Sequence, residues 1–201
     1  MKSFLAVFVM VAILAGCAKT VSTSLVTGEG PVAGRQFGKT AVLVWFAFET
    51  RDAKGKDKAD KLREIVMARF AALPGASLDD ADALARAVAP RAWRDASDVE
   101  LLAAARGAGL DSVALVEVAA CGGELGIGLT PLPVWSVVTR FSYRLRLLDV
   151  KTGTLVQSAM RGKESGGPYT VRGIDALLRE FDADLASLLT FAPLQANLET
   201  H

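Results

Sequence analysis

Residues 41–48, Ala41-Val42-Leu43-Val44-Trp45-Phe46-Ala47-Phe48, are apolar at odd and even positions alike. Successive side chains of a strand point to opposite faces, so a strand apolar on both must be covered on both. The run therefore predicts a middle strand of a layered sheet with helices on each side. Everything after it must supply that cover.

The helical candidates follow in order. Ala59, Leu62, Ile65, Val66, Phe70 and Leu73 recur at helical spacing until Pro74-Gly75 stops them. A short extended piece around Ala76–Leu78 precedes Asp79 and Asp80, placed to cap a helix that runs through Val88 and ends at Pro90. Ser97-Asp98-Val99-Glu100 is a capping-box pattern for a helix ending at Gly107-Ala108-Gly109. The second half is β-rich over 112–121, 137–149 and 154–163, with Asp149-Val150-Lys151-Thr152-Gly153 as a tight turn between the last two. Ile174, Leu177, Leu178, Phe181, Leu185, Leu188 and Leu189 mark a closing amphipathic helix. The expected order is β-α-β-α-α-β-β-β-α, an α/β fold with a mixed sheet, the late strands an antiparallel meander and the helices packed on the sheet.

The start of the chain is an address. Met1-Lys2-Ser3 is a short positive opening, and Phe4–Leu14 is an apolar run that rises only about 16 Å as a helix, roughly half a bilayer core. Leu14-Ala15-Gly16-Cys17 resembles the bacterial lipobox, in which the cysteine thiol accepts a diacylglyceryl group. The resemblance implies removal of residues 1–16, acylation of Cys17 and effectively permanent attachment to a membrane, at about 0.8 kcal/mol per buried methylene. In the sorting pattern of such lipoproteins an Asp after the cysteine retains the protein in the inner membrane, and with Ala18 there instead the resemblance points to the outer membrane, periplasmic side. Residues 18–38 carry Ser, Thr, Gly and Pro31 without periodicity, and read as a flexible tether of about 25 Å r.m.s. span. The expected organisation is signal 1–16, lipidated cysteine and tether 17–38, one α/β domain over 39–191, and a tail over 192–201, with no core residue before Lys39.

Composition narrows the chemistry. Lys plus Arg number 23 and Asp plus Glu 22, a balance that attracts no nucleic acid. The single histidine is His201 and the cysteines are Cys17 and Cys121. A His/Cys metal site and a His-based triad both lack their residues. Gly122-Gly123-Glu124-Leu125-Gly126-Ile127-Gly128 follows a strand but opens no helix and lacks the Lys-Ser or Lys-Thr pair of a phosphate loop. Asp79, Asp80 and Asp82 are helix caps and dipole partners. No catalytic residue, cofactor, metal or small-molecule substrate is expected; the chain acts by binding.

Two surfaces are candidates for that binding. Arg140, Arg144 and Arg146 share one face of a strand whose other face is Phe141, Tyr143, Leu145 and Leu147. The arginines either meet an acidic partner or subunit or form a solvated face balanced by Glu117. The segment from Leu125 through Ile127 and Leu129 to Trp135 is apolar and broken by Gly and Pro, so it reads as an irregular loop in need of cover. A membrane interface, a neighbouring subunit and its own sheet are all open as that cover. Cys121 is either a buried hydrophobe or a thiol free to bridge chains.

Three stretches together resemble one family: Lys39-Thr40-Ala41-Val42-Leu43-Val44, Gly109-Leu110-Asp111-Ser112-Val113-Ala114-Leu115-Val116, and Arg144-Leu145-Arg146-Leu147-Leu148-Asp149-Val150-Lys151-Thr152-Gly153. They are similar to the curli-export-lipoprotein (CsgG-like) superfamily, which includes a polysaccharide-export lipoprotein, activators of peptidoglycan synthases and outer-membrane lipoproteins with a TolB-N-terminal-like domain. The motifs mark fold, not catalysis. The resemblance implies an outer-membrane accessory of envelope export or assembly, with self-association into oligomers open to it; the alternative is a monomeric regulator or scaffold of an envelope enzyme such as a peptidoglycan synthase. Two departures from its relatives follow from the sequence: no spare pair of long strands for a membrane barrel, and a tether too short to cross the periplasm.

Overall fold

In the computed structural model, which describes residues 19–28, 32, 34–48, 50–88, 92–129, 133–168 and 173–190, the double-sided run is strand β2 (Lys39–Phe46). The other elements are β1 (Lys19–Thr27), α1 (Ala53–Ala71), β3 (Ser77–Leu78), α2 (Ala81–Ala87), a 3₁₀ turn (Trp93–Asp95), α3 (Asp98–Gly107), β4 (Ser112–Leu129), β5 (Pro133–Asp149), β6 (Thr154–Pro168) and α4 (Ile174–Thr190). They form a six-stranded mixed sheet in the order β1-β6-β5-β4-β2-β3. β2 is parallel to β3 and β4, and β4, β5, β6 and β1 are successively antiparallel.

The alternation of β2 splits the core in two, as expected. Val42 packs with Leu62, Val66 and Phe70 of α1, Phe181, Leu185 and Leu188 of α4, and Val116, Tyr143 and Leu145 of the sheet. Ala41 and Leu43 face the other way, onto Leu84 of α2 and Leu101, Leu102 and Ala105 of α3. The caps form where expected. Asp80 accepts from the backbone N–H of Asp82 and Ala83 at 2.8 and 3.2 Å. Ser97 and Glu100 make the reciprocal box, with Ser97 N donating to Glu100 Oε2 at 2.8 Å and Glu100 N to Ser97 Oγ at 3.3 Å. At the β5–β6 turn, Asp149 Oδ1 accepts from Lys151 N and Thr152 N, and Gly153 takes φ +74°, a left-handed conformation that side chains disfavour.

Asp111 ties the strand starts together. Its Oδ2 accepts from Lys39 N at 2.8 Å and its Oδ1 meets Lys151 Nζ at 2.9 Å. Its own N–H donates to Lys39 O, and its carbonyl accepts from Val150 N. Gly38, at φ +59°, lies so close that a Cβ there would stand 2.1 Å from Asp111 Oδ2. Ser112 Oγ bonds Phe37 O at 3.0 Å and meets Thr40 Oγ1 at 2.7 Å.

Three expectations are corrected. Residues 19–27, expected within a tether, form β1, paired with β6 from Lys19↔Gly166 to Thr27↔Ser158; Ser, Thr and Val suit an edge strand whose ladder, not its burial, holds it. The core does not begin at Lys39, because Val32 and Phe37 are 1% and 3% exposed and belong to the α1/α4 core. The segment from Leu125 to Trp135 is no irregular loop: β4 continues to Leu129 and β5 begins at Pro133, in register from Ala120↔Ser142 to Leu129↔Pro133. Glycine adopts extended backbone freely, and a proline is tolerated as the first residue of a strand.

Candidate functional site

The extension is what the sequence reading missed. β2 stops pairing at Phe46↔Val118, whereas β4 and β5 run 18 and 17 residues. β6 follows β5 as far as Ser136↔Pro168 and β1 follows β6 as far as Lys19↔Gly166, so the sheet runs on past β2 as four strands and only residues 133–135 of β5 pair with β4 alone. A register shift between Val118 and Ala120 opens the extension, as bulges do where a sheet bends or twists. Glycines then fit against branched neighbours: a Cβ on Gly123 would lie 3.3 Å from both Val137 Cγ1 and Thr139 Cγ2, and one on Gly166 would lie 3.0 Å from Val138 Cγ2. Across the ladder, Leu125 stands opposite Val137, Ile127 opposite Trp135, and Leu129 opposite Pro133. Positions two apart share a face of the sheet, so these six residues occupy one column that continues the face of Cys121 and Phe141. Helices cover that face as far as Cys121 and Phe141, which are buried, but Leu125 is 64% exposed. The side chains of Ile127, Leu129 and Trp135 lie outside the described residues, as does Cys17.

The opposite face carries the arginines, and the structure gives each a different setting. Arg146 Nη1 donates to Asp98 Oδ1 at 2.8 Å, at the first turn of α3. Arg140 Nη2 donates to Glu124 Oε2 at 3.2 Å on the surface. Arg144 is exposed, between Glu117 of β4 and Met160 of β6 in the register. The α2/α3 core ends on this face at Leu115 and Leu148. Beyond it, one row of the sheet reads Leu25, Met160, Arg144, Glu117, Trp45, with Leu25 62% and Met160 50% exposed. Sequence reasoning missed Met160 and the whole of β1; the Thr and Val content of 19–27 was the only faint signal.

Cys121 is buried, which decides between its two readings. Burial pushes its thiol pKa up against the lowering effect of nearby Lys58, so it is a poor nucleophile. Among the described residues no group of three or more His, Cys, Asp or Glu is placed to hold a metal, and no helix is long and apolar enough to cross a membrane. An open cleft between α1 and α4 is lined by Lys61, Glu64, Arg69 and Asp182. The guanidinium of Arg69 donates through Nε to Asp182 Oδ1 at 2.6 Å, closing the pair on itself.

No protein-family model matches the chain, and no curated protein matches it. Among solved structures it is similar to the PelC dodecamer from Paraburkholderia phytofirmans, at 20% identity over 85% of this chain and 98% of that one, TM-score 0.47. It is similar to lipoprotein GNA1162 from Neisseria meningitidis, at 14% identity over 74% and 95%, TM-score 0.45. It is also similar to the LpoB C-terminal domain from Escherichia coli, at 14% identity over 76% and 91%, TM-score 0.36. At these values the likeness carries no function from those proteins to this chain.

Proposed function

We propose that the protein is an outer-membrane lipoprotein on the periplasmic side that acts by binding, as an accessory of envelope export or assembly. The observation that carries the reading is the extension of β4 and β5 past β2, which sets Leu125 in solvent at the head of an apolar column while β6 follows β5 as far as Ser136↔Pro168. Clustered exposed apolar residues on a surface mark a contact site, and Leu125 is the exposed member of this column whose side chain is described. The proposed interaction surface is Leu125, Ile127, Leu129 and Trp135 of the hairpin, with Arg140, Arg144 and Arg146 on the opposite face of the same sheet.

Leu14-Ala15-Gly16-Cys17 supplies the address. Because β1 begins at Lys19, acylation at Cys17 holds the edge of the sheet within two residues of the lipid, so partners at the membrane surface suit the protein better than partners across the periplasm. In this reading Cys17→Ser releases a folded protein from the outer membrane, since Cys17 precedes every strand. A Cys17→Ser protein that still fractionates with the outer membrane at high salt overturns the anchor. A photo-reactive residue at Leu125 in growing cells tests the surface: adducts to an envelope protein or to lipid support it, and a residue that reacts only with water removes it.

A further inference from the structure

β1 is an edge of the sheet, paired with β6 on one side and with no strand among the described residues on the other. Every second N–H and C=O along it therefore points out of the sheet. Sheet edges in soluble proteins are commonly protected by charge, proline, a bulge or a covering segment. From Thr20 to Thr27 β1 contains no charge and no proline, and its register with β6 is unbroken. Val21, Leu25 and Val26 are 48%, 62% and 38% exposed.

The order of residues on this edge is self-complementary. Thr23 is the midpoint of the nine-residue strand, and Val21-Ser22-Thr23-Ser24-Leu25 reads apolar, Ser, Thr, Ser, apolar in either direction. Two such strands laid antiparallel about Thr23 set Val21 against Leu25 of the other copy twice on one face. On the other face they set Ser22 against Ser24 twice. A slip of one residue exchanges the faces. A slip of two sets Leu25 against Thr23 or Lys19 and breaks the apolar pairs.

We propose that β1 pairs antiparallel with β1 of a second copy of this chain, in the register centred on Thr23, joining two six-stranded sheets into one. The two-fold axis stands perpendicular to the sheet, so both chains overlap along all of β1. The pairing depends neither on acylation of Cys17 nor on what the hairpin binds, and the test below reads it separately from both.

The detergent-solubilised full-length protein is sized at micromolar concentration beside Thr23→Lys, which sets two ammonium groups face to face across the axis. The parent is expected to hold two chains per particle and Thr23→Lys one, with unchanged circular dichroism because Thr23 is exposed. Directly opposed residues lie about 4.5–5.5 Å apart between Cα atoms, within disulfide reach. Mild oxidation is therefore expected to link Thr23→Cys into dimers above the parent background. Ser24→Cys is expected to stay near background, because its diagonal partner is about 7–8 Å away. A particle size that folded Thr23→Lys leaves unchanged, whether one chain or a larger ring, overturns the proposal. Equal cross-linking at 23 and 24 overturns it too, and decides the matter if Thr23→Lys fails to fold.

Discussion

The phenol of Tyr143, 1% exposed in the centre of β5, donates to Asp184 Oδ2 of α4 at 2.6 Å. Arg161 of β6 stands 3.8 Å from the other oxygen of the same carboxylate. The bond fastens the closing helix to the sheet, while the ring stacks edge-on against Phe181 at 5.1 Å. Hydrogen bonds to a charged acceptor contribute about 1.5–3 kcal/mol, so Tyr143→Phe is expected to lose about that much in denaturant melts with its packing kept. Burial, then the hydrogen bond to Asp184, pushes the phenol pKa far above the usual tyrosine range. A folded pKa above the unfolded one means that this stability is present below the unfolded value of about 10 and is lost as the pH rises beyond it. Alkaline unfolding of the parent should therefore start at lower pH than that of Tyr143→Phe relative to each protein's neutral stability.

Asp111 gives the opposite slope at the acid end. The hydrogen bond from Lys151 and, to a smaller extent, that from the Lys39 backbone hold its carboxyl below the ordinary carboxylate value. A depressed folded pKa contributes stability that is complete above the unfolded value of about 4 and is lost as the pH falls through the lower folded one. Asp111→Ala is expected to be less stable than the parent at pH 7, and the gap is expected to narrow between pH 5 and pH 2. Urea midpoints at intervals across that range check it; a constant gap means the carboxylate acts by shape alone.

Phe37 places the start of the folded unit well before β2. It is 3% exposed within the α1/α4 core, and its backbone N–H donates to Pro74 O at 3.2 Å. Truncations of a buried Phe to Ala cost about 3–5 kcal/mol, and Phe37→Ala is expected in that range by denaturant melts. A loss below about 1 kcal/mol would mean that residues 32–38 are a tether after all.

What the sequence made legible follows from where burial leaves a pattern. β2 shows its two faces because helices cover both, α4 shows its stripe, and the Ser97–Glu100 box is written in two residues three apart. β1 has no such pattern, because all its described side chains are exposed and its place is fixed by a backbone ladder to β6 that composition records only faintly. The hairpin was hidden for a related reason. Gly122, Gly123, Gly126 and Gly128 read as loop residues until the strand opposite is known, and at Gly123 the absent side chain makes room for Val137 and Thr139. Local residue types cannot show that a strand exists for its partner's sake. Of the site, the arginine face and the apolar column were visible as residues, and the sheet row that joins Arg144 to Met160 and Leu25 required the topology.

Leu125 and Arg144 separate binding from folding. Both are exposed, on opposite faces of the extended strands, and neither belongs to either core. Exposed substitutions away from caps and networks usually change stability by no more than about 0.5 kcal/mol, so Leu125→Ser and Arg144→Ser are each expected to melt like the parent. Arg146→Ser is the internal comparison: it breaks a pair with Asp98 whose guanidinium side is only 18% exposed, and a loss of up to about 1 kcal/mol is expected, as for a partly screened ion pair. If the hairpin column is the contact surface, Leu125→Ser lowers the yield of envelope partners recovered by cross-linking while Arg146→Ser does so only in proportion to its stability loss. If Arg144→Ser instead abolishes recovery and Leu125→Ser leaves it intact, the contact lies on the arginine face and the partner is selected by charge.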